Sequence, residues 1–290
     1  MNWLFEPGFF SSGPVHVAAV IGGTVAIVSS VVGVFTVTRG QSFAGHSLAD
    51  VSTAGGSAAF LLGMNPLFGF VGGGVIGAGA MEMIGIRRAR GRDLATGIVL
   101  GASIGLAALF LYLGTTSSST TGASQQILFG SIFSTDNSTI PVVVIFSIVC
   151  LVIIGFVGRP LLLSSVGGDI ATAAGVPVRV VGLLYMLSLA LAVGLSALAI
   201  GAILSTALLI GPAAIALRLT KRIGWTLLTA SLLGIANTLL GVLLAYDSYD
   251  WSSSHQAWPV SFFIVILIFV EYLVTEIPAV RTITSRRQSR

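Results

Sequence analysis

Long apolar runs broken by short polar punctuation make up most of this chain. A run of roughly 20 apolar residues is long enough to cross a bilayer as a helix. Nine runs qualify: 15–37, 42–62, 66–86, 94–113, 140–158, 178–197, 199–217, 224–245 and 258–279. The sixth and seventh are continuous with each other and together too long for one crossing. A break near Gly194 to Gly201 divides them, and Pro212 predicts a short or kinked second helix. The run 42–62 is the most polar, with Ser, His, Asp and Gly inside it. The opening MNWLFEPGFF has no basic start and no small-residue cleavage site, so residues 1–14 are expected to form an extracytoplasmic interfacial segment and not a signal peptide.

The pattern therefore predicts an all-α polytopic membrane helix bundle of about eight to nine transmembrane helices. One transmembrane domain is expected over 15–280, followed by a basic cytoplasmic tail over 281–290. Composition agrees. Of 290 residues, 55% are hydrophobic and only 8% charged, with mean hydropathy +1.01. An ordinary soluble domain is about a quarter charged. A cytosolic enzyme, a secreted module and a disordered tail are all excluded. Glycine, at 36 residues, is enriched, as in membrane helices that pack closely. The single cysteine, Cys150, rules out an internal disulfide.

The net charge of +4 carries topology. Cytoplasmic loops collect Lys and Arg. The basic residues are Arg39; Arg87, Arg88, Arg90 and Arg92; Arg159 and Arg179; Arg218, Lys221 and Arg222; and Arg281, Arg286, Arg287 and Arg290. With the N-terminus outside and nine alternating spans, all 14 fall on the cytoplasmic side, as does the C-terminus. The outer loops then keep only acids: Glu6, Asp136, Asp247 and Asp250. Outer segments 114–139 and 246–257 are the longer loops. The inner segment 159–177, RPLLLSSVGGDIATAAGVP, is distinctive. Asp169 after Gly168 suits an N-cap, and Gly175 with Pro177 suits a helix end. A short helix over 168–177 is expected on the cytoplasmic surface, where it offers a docking element or serves as a plain connector.

Several familiar motifs lose their usual meaning inside apolar spans. G-x-G-x-x-G at Gly72, Gly74 and Gly77 would need a strand before it to bind a dinucleotide, so helix packing is the better reading. G-x-S-x-G at Gly101, Ser103 and Gly105 lies mid-span with no base beside it, and small-residue packing explains it better than an intramembrane hydrolase. No Walker A sequence exists, and the only lysine, Lys221, follows Thr220. Neither H-E-x-x-H nor C-x-x-C occurs. Asn137-Ser138-Thr139 is a formal glycosylation sequon.

His46 and Asp50 are the informative pair. Four residues apart on a helix, they share one face. Ionisable residues inside a membrane usually face a cavity or a partner. Imidazole with carboxylate suits a divalent ion such as zinc or manganese. Two ligands are too few for a closed site, but a second copy across a symmetric pore would make four. A structural His–Asp hydrogen bond stands beside this reading. Glu271 lies inside the ninth span and could line a path or pair with another helix. Glu82 lies within reach of Arg87 or Arg88. Asp247, Asp250 and His255 share an outer loop that could contact a partner or simply be solvated.

Four stretches, in order, carry a resemblance: VFTVTRGQSFAGHSLADVSTAGG at 34–56, ILFGSIF at 127–133, DIATAAGVPVRVVGLLYML at 169–187 and GAILSTALLIGPAAIALRL at 201–219. In these the chain resembles the membrane permease of bacterial ABC importers for manganese, zinc and iron. The resemblance implies a multi-pass permease subunit of the bacterial cytoplasmic membrane, with a second permease copy in a homo- or heterodimer. It implies a cytoplasmic ABC ATPase docked on the inner helix at Gly168, Asp169, Gly175 and Pro177. It also implies an extracytoplasmic metal-binding protein that delivers the ion. No tightly bound cofactor is implied: the metal is cargo, and ATP belongs to the partner subunit. In the family, the gate on the polar second helix usually has Asp first and His four residues later. Here His46 precedes Asp50, which leaves both ligand types on one face with altered geometry. The family's Asp-x-Pro-x-Gly in the last outer loop is replaced by DWSSSHQAWP at 250–259. The competing class is an ATP-independent cation transporter or channel using Asp50 or Glu271, which would need no docking helix.

Overall fold

The computed structural model describes residues 8–84, 89–117, 122–130, 132–251 and 257–277, and these are helical with no strand among them. The expected Glu82 contact with Arg87 or Arg88, His255 and the basic tail 281–290 lie outside the described residues. Eleven α-helices follow in order: α1 (Gly13–Thr38), α2 (Ser42–Leu61), α3 (Pro66–Ile84), α4 (Ala89–Ser117), α5 (Gly122–Phe129), α6 (Thr139–Val166), α7 (Gly168–Ala173), α8 (Val178–Ile200), α9 (Ser205–Leu219), α10 (Ile223–Asp247) and α11 (Val260–Glu276). Among the described residues, α1, the 96–116 part of α4, α6, α8 and α10 are long and apolar enough to cross a membrane. The apolar helices 66–81 and 205–219 are shorter. The polar character of α2 keeps it out of the first group.

Two helices form the centre. In α8, 83% of the most apolar window is buried, and in α1 67%. Helix α8 touches α1, α2, α3, α6 and α9, and α1 adds α10 and α9 on its other flank. Both central helices carry hydroxyl groups that bond across the seam. Ser29 and Ser196 lie 2.5 Å apart, and the Tyr185 hydroxyl donates to Thr36 Oγ1 at 3.1 Å. With no water available, such buried groups must pair within the bundle. On one side α2 and α3 run almost in backbone contact, because a side chain at Gly55 or Gly69 would strike the facing helix. Gly74 likewise packs against Ser52 and Ala190 and Gly77 against Val51, so two glycines of G-x-G-x-x-G serve helix packing as expected, whereas Gly72 faces open space.

The break after α8 falls at 201–204, slightly beyond the expected place. Gly201 has φ +84 and Gly130 φ +85, a region that other residues adopt only with strain. The freed amides of Ala202 and Ile203 donate to the carbonyls of Ile127 and Leu128 at 3.1 and 3.3 Å. Ser261 Oγ donates to Phe129 O at 3.0 Å. Residues 122–129, expected as loop, are therefore a short helix whose end replaces the hydrogen bonds lost where α8 stops. Gly201 and Ala202 are buried in protein, where a membrane bundle tolerates non-helical backbone, and Ile203 is exposed. Pro212 sits inside a continuous α9.

The 159–177 segment also differs from expectation. Helix α6 continues through Arg159 and Pro160 to Val166. A proline forfeits one hydrogen bond in a helix interior, and Arg159 is exposed, so its charge does not stop the helix. Helix α7 is six residues long, with Gly167 as its N-cap residue. Asp169 is thus not the N-cap. It lies in the first turn, where a carboxylate still favours the helix dipole. Gly175, at φ +77, ends the turn, and Pro177 is the N-cap residue of α8.

Candidate functional site

Helix α2 begins at the Gln41 N-cap position and packs on α3, α4 and α8. Its buried face is built of small and hydroxyl residues. Ser47 Oγ donates to the Thr96 carbonyl of α4 at 2.9 Å. Thr53 and Ser57 return their hydroxyls to their own helix. That leaves one ionisable strip. His46 Nε2 lies 3.9 Å from Asp50 Oδ2, with the imidazole 49% exposed and the carboxylate 20%. This distance is too long for a hydrogen bond, so the structural His–Asp hydrogen bond is not made. Asp50 Oδ2 is buried and has no hydrogen-bond partner.

An orphaned carboxylate oxygen beside an open imidazole is a donor set with its lone pairs unused. Such a pair can accept a divalent cation, whose charge complements the carboxylate. Among the described residues, no cluster of three or more His, Cys, Asp or Glu forms within the chain. Among the described residues, His46 and Asp50 are the ligand pair that one copy brings.

The other expected residues are distributed elsewhere. Glu271 does not share a site with Asp50: its Oε2 accepts from Asn237 Nδ2 of α10 at 2.7 Å, so it ties α11 to α10. Asp247 is buried at the end of α10, whereas Asp250 is exposed beside Tyr249. Ser103 donates to its own helix at Val99 O, 2.5 Å, and has no catalytic partner built around it. Side chains at Gly101 and Gly105 would meet nothing within the chain, so the packing expected of them is not made inside this copy. Gly168, Asp169, Gly175 and Pro177 sit together on and around α7.

Sequence reasoning missed a cluster centred on Arg39. The guanidinium Nη1 donates to Leu161 O at 3.2 Å and to Ser164 Oγ at 2.9 Å, and Nε donates to Gln41 Oε1 at 3.4 Å. Its carbon lies 5.3 Å from the Tyr185 ring centroid. Apart from Gln41, the partners are more than a hundred residues away in sequence, and no local pattern signals them. Only the position of Arg39 in a turn between two helices was legible.

A bundle of apolar helices around a broken α8–α9 pair, with the His46–Asp50 strip on α2, fits a multi-pass membrane permease. More narrowly, the chain belongs to the ABC 3 transport family, whose model matches residues 14–274. It is 29% identical over 246 residues to the manganese transport system membrane protein MntC of Listeria innocua, covering 84% of this chain and 85% of that protein. It is 30% identical over 226 residues to MntC of Halalkalibacterium halodurans, covering 77% and 76%. Its fold is similar to that of PsaBC from Streptococcus pneumoniae in complex with Fab. The TM-score is 0.80 at 24% identity, covering 96% of this chain and 97% of that one.

Proposed function

We propose that this chain is the permease subunit of an ATP-driven importer of divalent transition metal, with manganese the first cargo to test and zinc and iron next. The His46–Asp50 strip carries this reading, because it is a cation-accepting donor set on a membrane helix, and among the described residues Asp50 Oδ2 has no hydrogen-bond partner. The manganese transport proteins that the chain resembles support the choice of metal.

Nine spans cross the membrane, with the N-terminus outside and the C-terminus in the cytoplasm. The grouping of chain ends supports this. The Arg39 turn meets the end of α6 near α7, and Arg218 at the end of α9 meets Glu276 and Tyr272 at the end of α11. At the opposite end, Phe9 meets Tyr246 edge to face, 5.4 Å between ring centroids. Two permease copies, identical or related, enclose the path, and each brings one His46–Asp50 pair. Together they make a four-ligand set that holds the ion briefly. Neutral imidazole is the ligating form, so metal binding weakens in acid. ATP is bound and hydrolysed by a separate cytoplasmic subunit seated on α7, and an extracytoplasmic protein delivers the ion. ATP binding switches the bundle between outward- and inward-open states.

The test is uptake into proteoliposomes holding the permease and its ATPase, with a panel of manganese, zinc and iron. ATP-dependent manganese accumulation is expected. Uptake that proceeds equally without ATP would instead establish an ATP-independent transporter.

A further inference from the structure

Arg39 occupies a place that neither metal binding nor ATPase docking requires. It is the C-cap residue of α1 and the first residue of the turn between α1 and α2. That turn closes by bonds from Gly40 N to Val37 O at 3.0 Å and from Gln41 N to Thr36 O at 2.9 Å, with Gly40 at φ +64. Such a closure fixes where the Arg39 side chain emerges. One edge of the guanidinium then grips the last two turns of α6, through Leu161 O and Ser164 Oγ. Ser164 Oγ also donates to Leu161 O at 2.8 Å, so the two acceptors act as one seat. The other edge, through Nε, reaches Gln41, the buried N-cap residue of α2. The flat face rests on Tyr185, whose hydroxyl bonds Thr36 at the end of α1.

The two sides of this contact lead to the two working parts of the molecule. Three residues beyond Ser164 is Gly167, and α7 follows directly. Five residues beyond Gln41 is His46, roughly 8 Å further along α2. A planar, always-charged fork can hold two acceptors and a ring at once, whereas lysine offers a point charge.

We propose that Arg39 is the positioning residue that transmits movement of α7 to His46 and Asp50, by locking the end of α6 to the start of α2. The proposal rests on the reading that α7 docks the ATPase and α2 carries the metal.

The permease–ATPase complex in proteoliposomes tests it, with Arg39→Gln, Arg39→Lys and Ser164→Ala. Loss of charge-assisted bonds of this kind is worth roughly tenfold. Arg39→Gln is therefore expected to lower maximal manganese uptake about tenfold while half-saturating manganese stays within about twofold. ATP hydrolysis should continue, so that more ATP is spent per ion. Arg39→Lys should recover only part of the uptake, and Ser164→Ala should lose about threefold. Unchanged ions per ATP in Arg39→Gln would overturn the proposal. So would uptake and hydrolysis falling in one proportion together with the thermal midpoint, which marks a merely structural residue. If Arg39→Gln does not assemble, Ser164→Ala decides, and its wild-type coupling ratio would likewise overturn the proposal. A wild-type complex that imports no manganese with ATP removes the importer reading and this inference with it. A wild-type complex that imports while the variants behave normally removes only the inference.

Discussion

Helices α8 and α4 are both apolar and both long enough to cross a membrane, yet the bundle treats them oppositely. The apolar window of α8 is 83% buried and that of α4 only 17%. Hydrophobicity does not separate them, because lipid is as apolar as a protein core and exerts no pull on one over the other. The difference lies in polar and small residues. Helix α8 turns Ser196 toward Ser29 of α1 and its Ser188 carbonyl toward the Cys150 thiol of α6, which donates at 3.2 Å. Helix α4 returns Ser103, Thr115 and Thr116 to its own carbonyls. Burial inside a membrane is therefore read from where hydroxyls bond and where glycines are crowded, and not from apolar content.

Glycine replacements should break this contrast most forcefully. A side chain at Gly33 of α1 would drive into the Leu209 carbonyl of α9, whereas one at Gly101 of α4 meets open space. Gly33→Leu should lower stability by about 3 kcal/mol or more, as overpacking does at rigid backbone contacts. Gly101→Leu should leave the thermal midpoint of the detergent-solubilised monomer unchanged. Equal loss in both would mean that α4 is packed as tightly as α1.

A smaller effect is expected at the α10–α11 contact. Glu271→Ala removes the acceptor of buried Asn237, whose Oδ1 already lacks a partner. Leaving that amide unpaired should cost about 1–3 kcal/mol, read from the unfolding midpoint. The smallest change separates hydroxyls of the two kinds. Ser196→Ala should cost about 0.6 kcal/mol, typical of interhelical bonds in membranes, and Thr116→Ala about nothing, since Thr116 bonds only its own helix. A larger loss at Thr116 would show that α4 contributes more to the monomer than its exposure implies.

The same distinction explains what the sequence could reveal. Every predicted apolar run coincides with a helix, because length and hydropathy are local properties. The end of α6 was placed too early at Arg159-Pro160, since an exposed arginine and a single lost hydrogen bond do not stop a helix already packed through Leu161. Asp169 looked like a cap, but Gly167 takes that position. Helix α5 was hidden in Ser/Thr-rich sequence because its stability comes from bonds to 202 and 203, far away in the chain. At the candidate site, the placement of His46 and Asp50 on one face of α2 was legible from their spacing. The missing hydrogen bond between them was not, and neither was Arg39, whose partners only the fold brings together.

The central proposal is that His46 and Asp50 form the cation-holding part of an ATP-driven permease. Manganese uptake by the reconstituted complex carrying His46→Ala and Asp50→Ala tests it most directly. Removing both ligands should cut ATP-dependent uptake by about 100-fold or more, beyond the loss that outer-shell changes give, while the purified protein keeps its thermal midpoint. Manganese uptake at the wild-type rate, with unchanged preference over zinc and iron, would show that the ion passes without these two side chains.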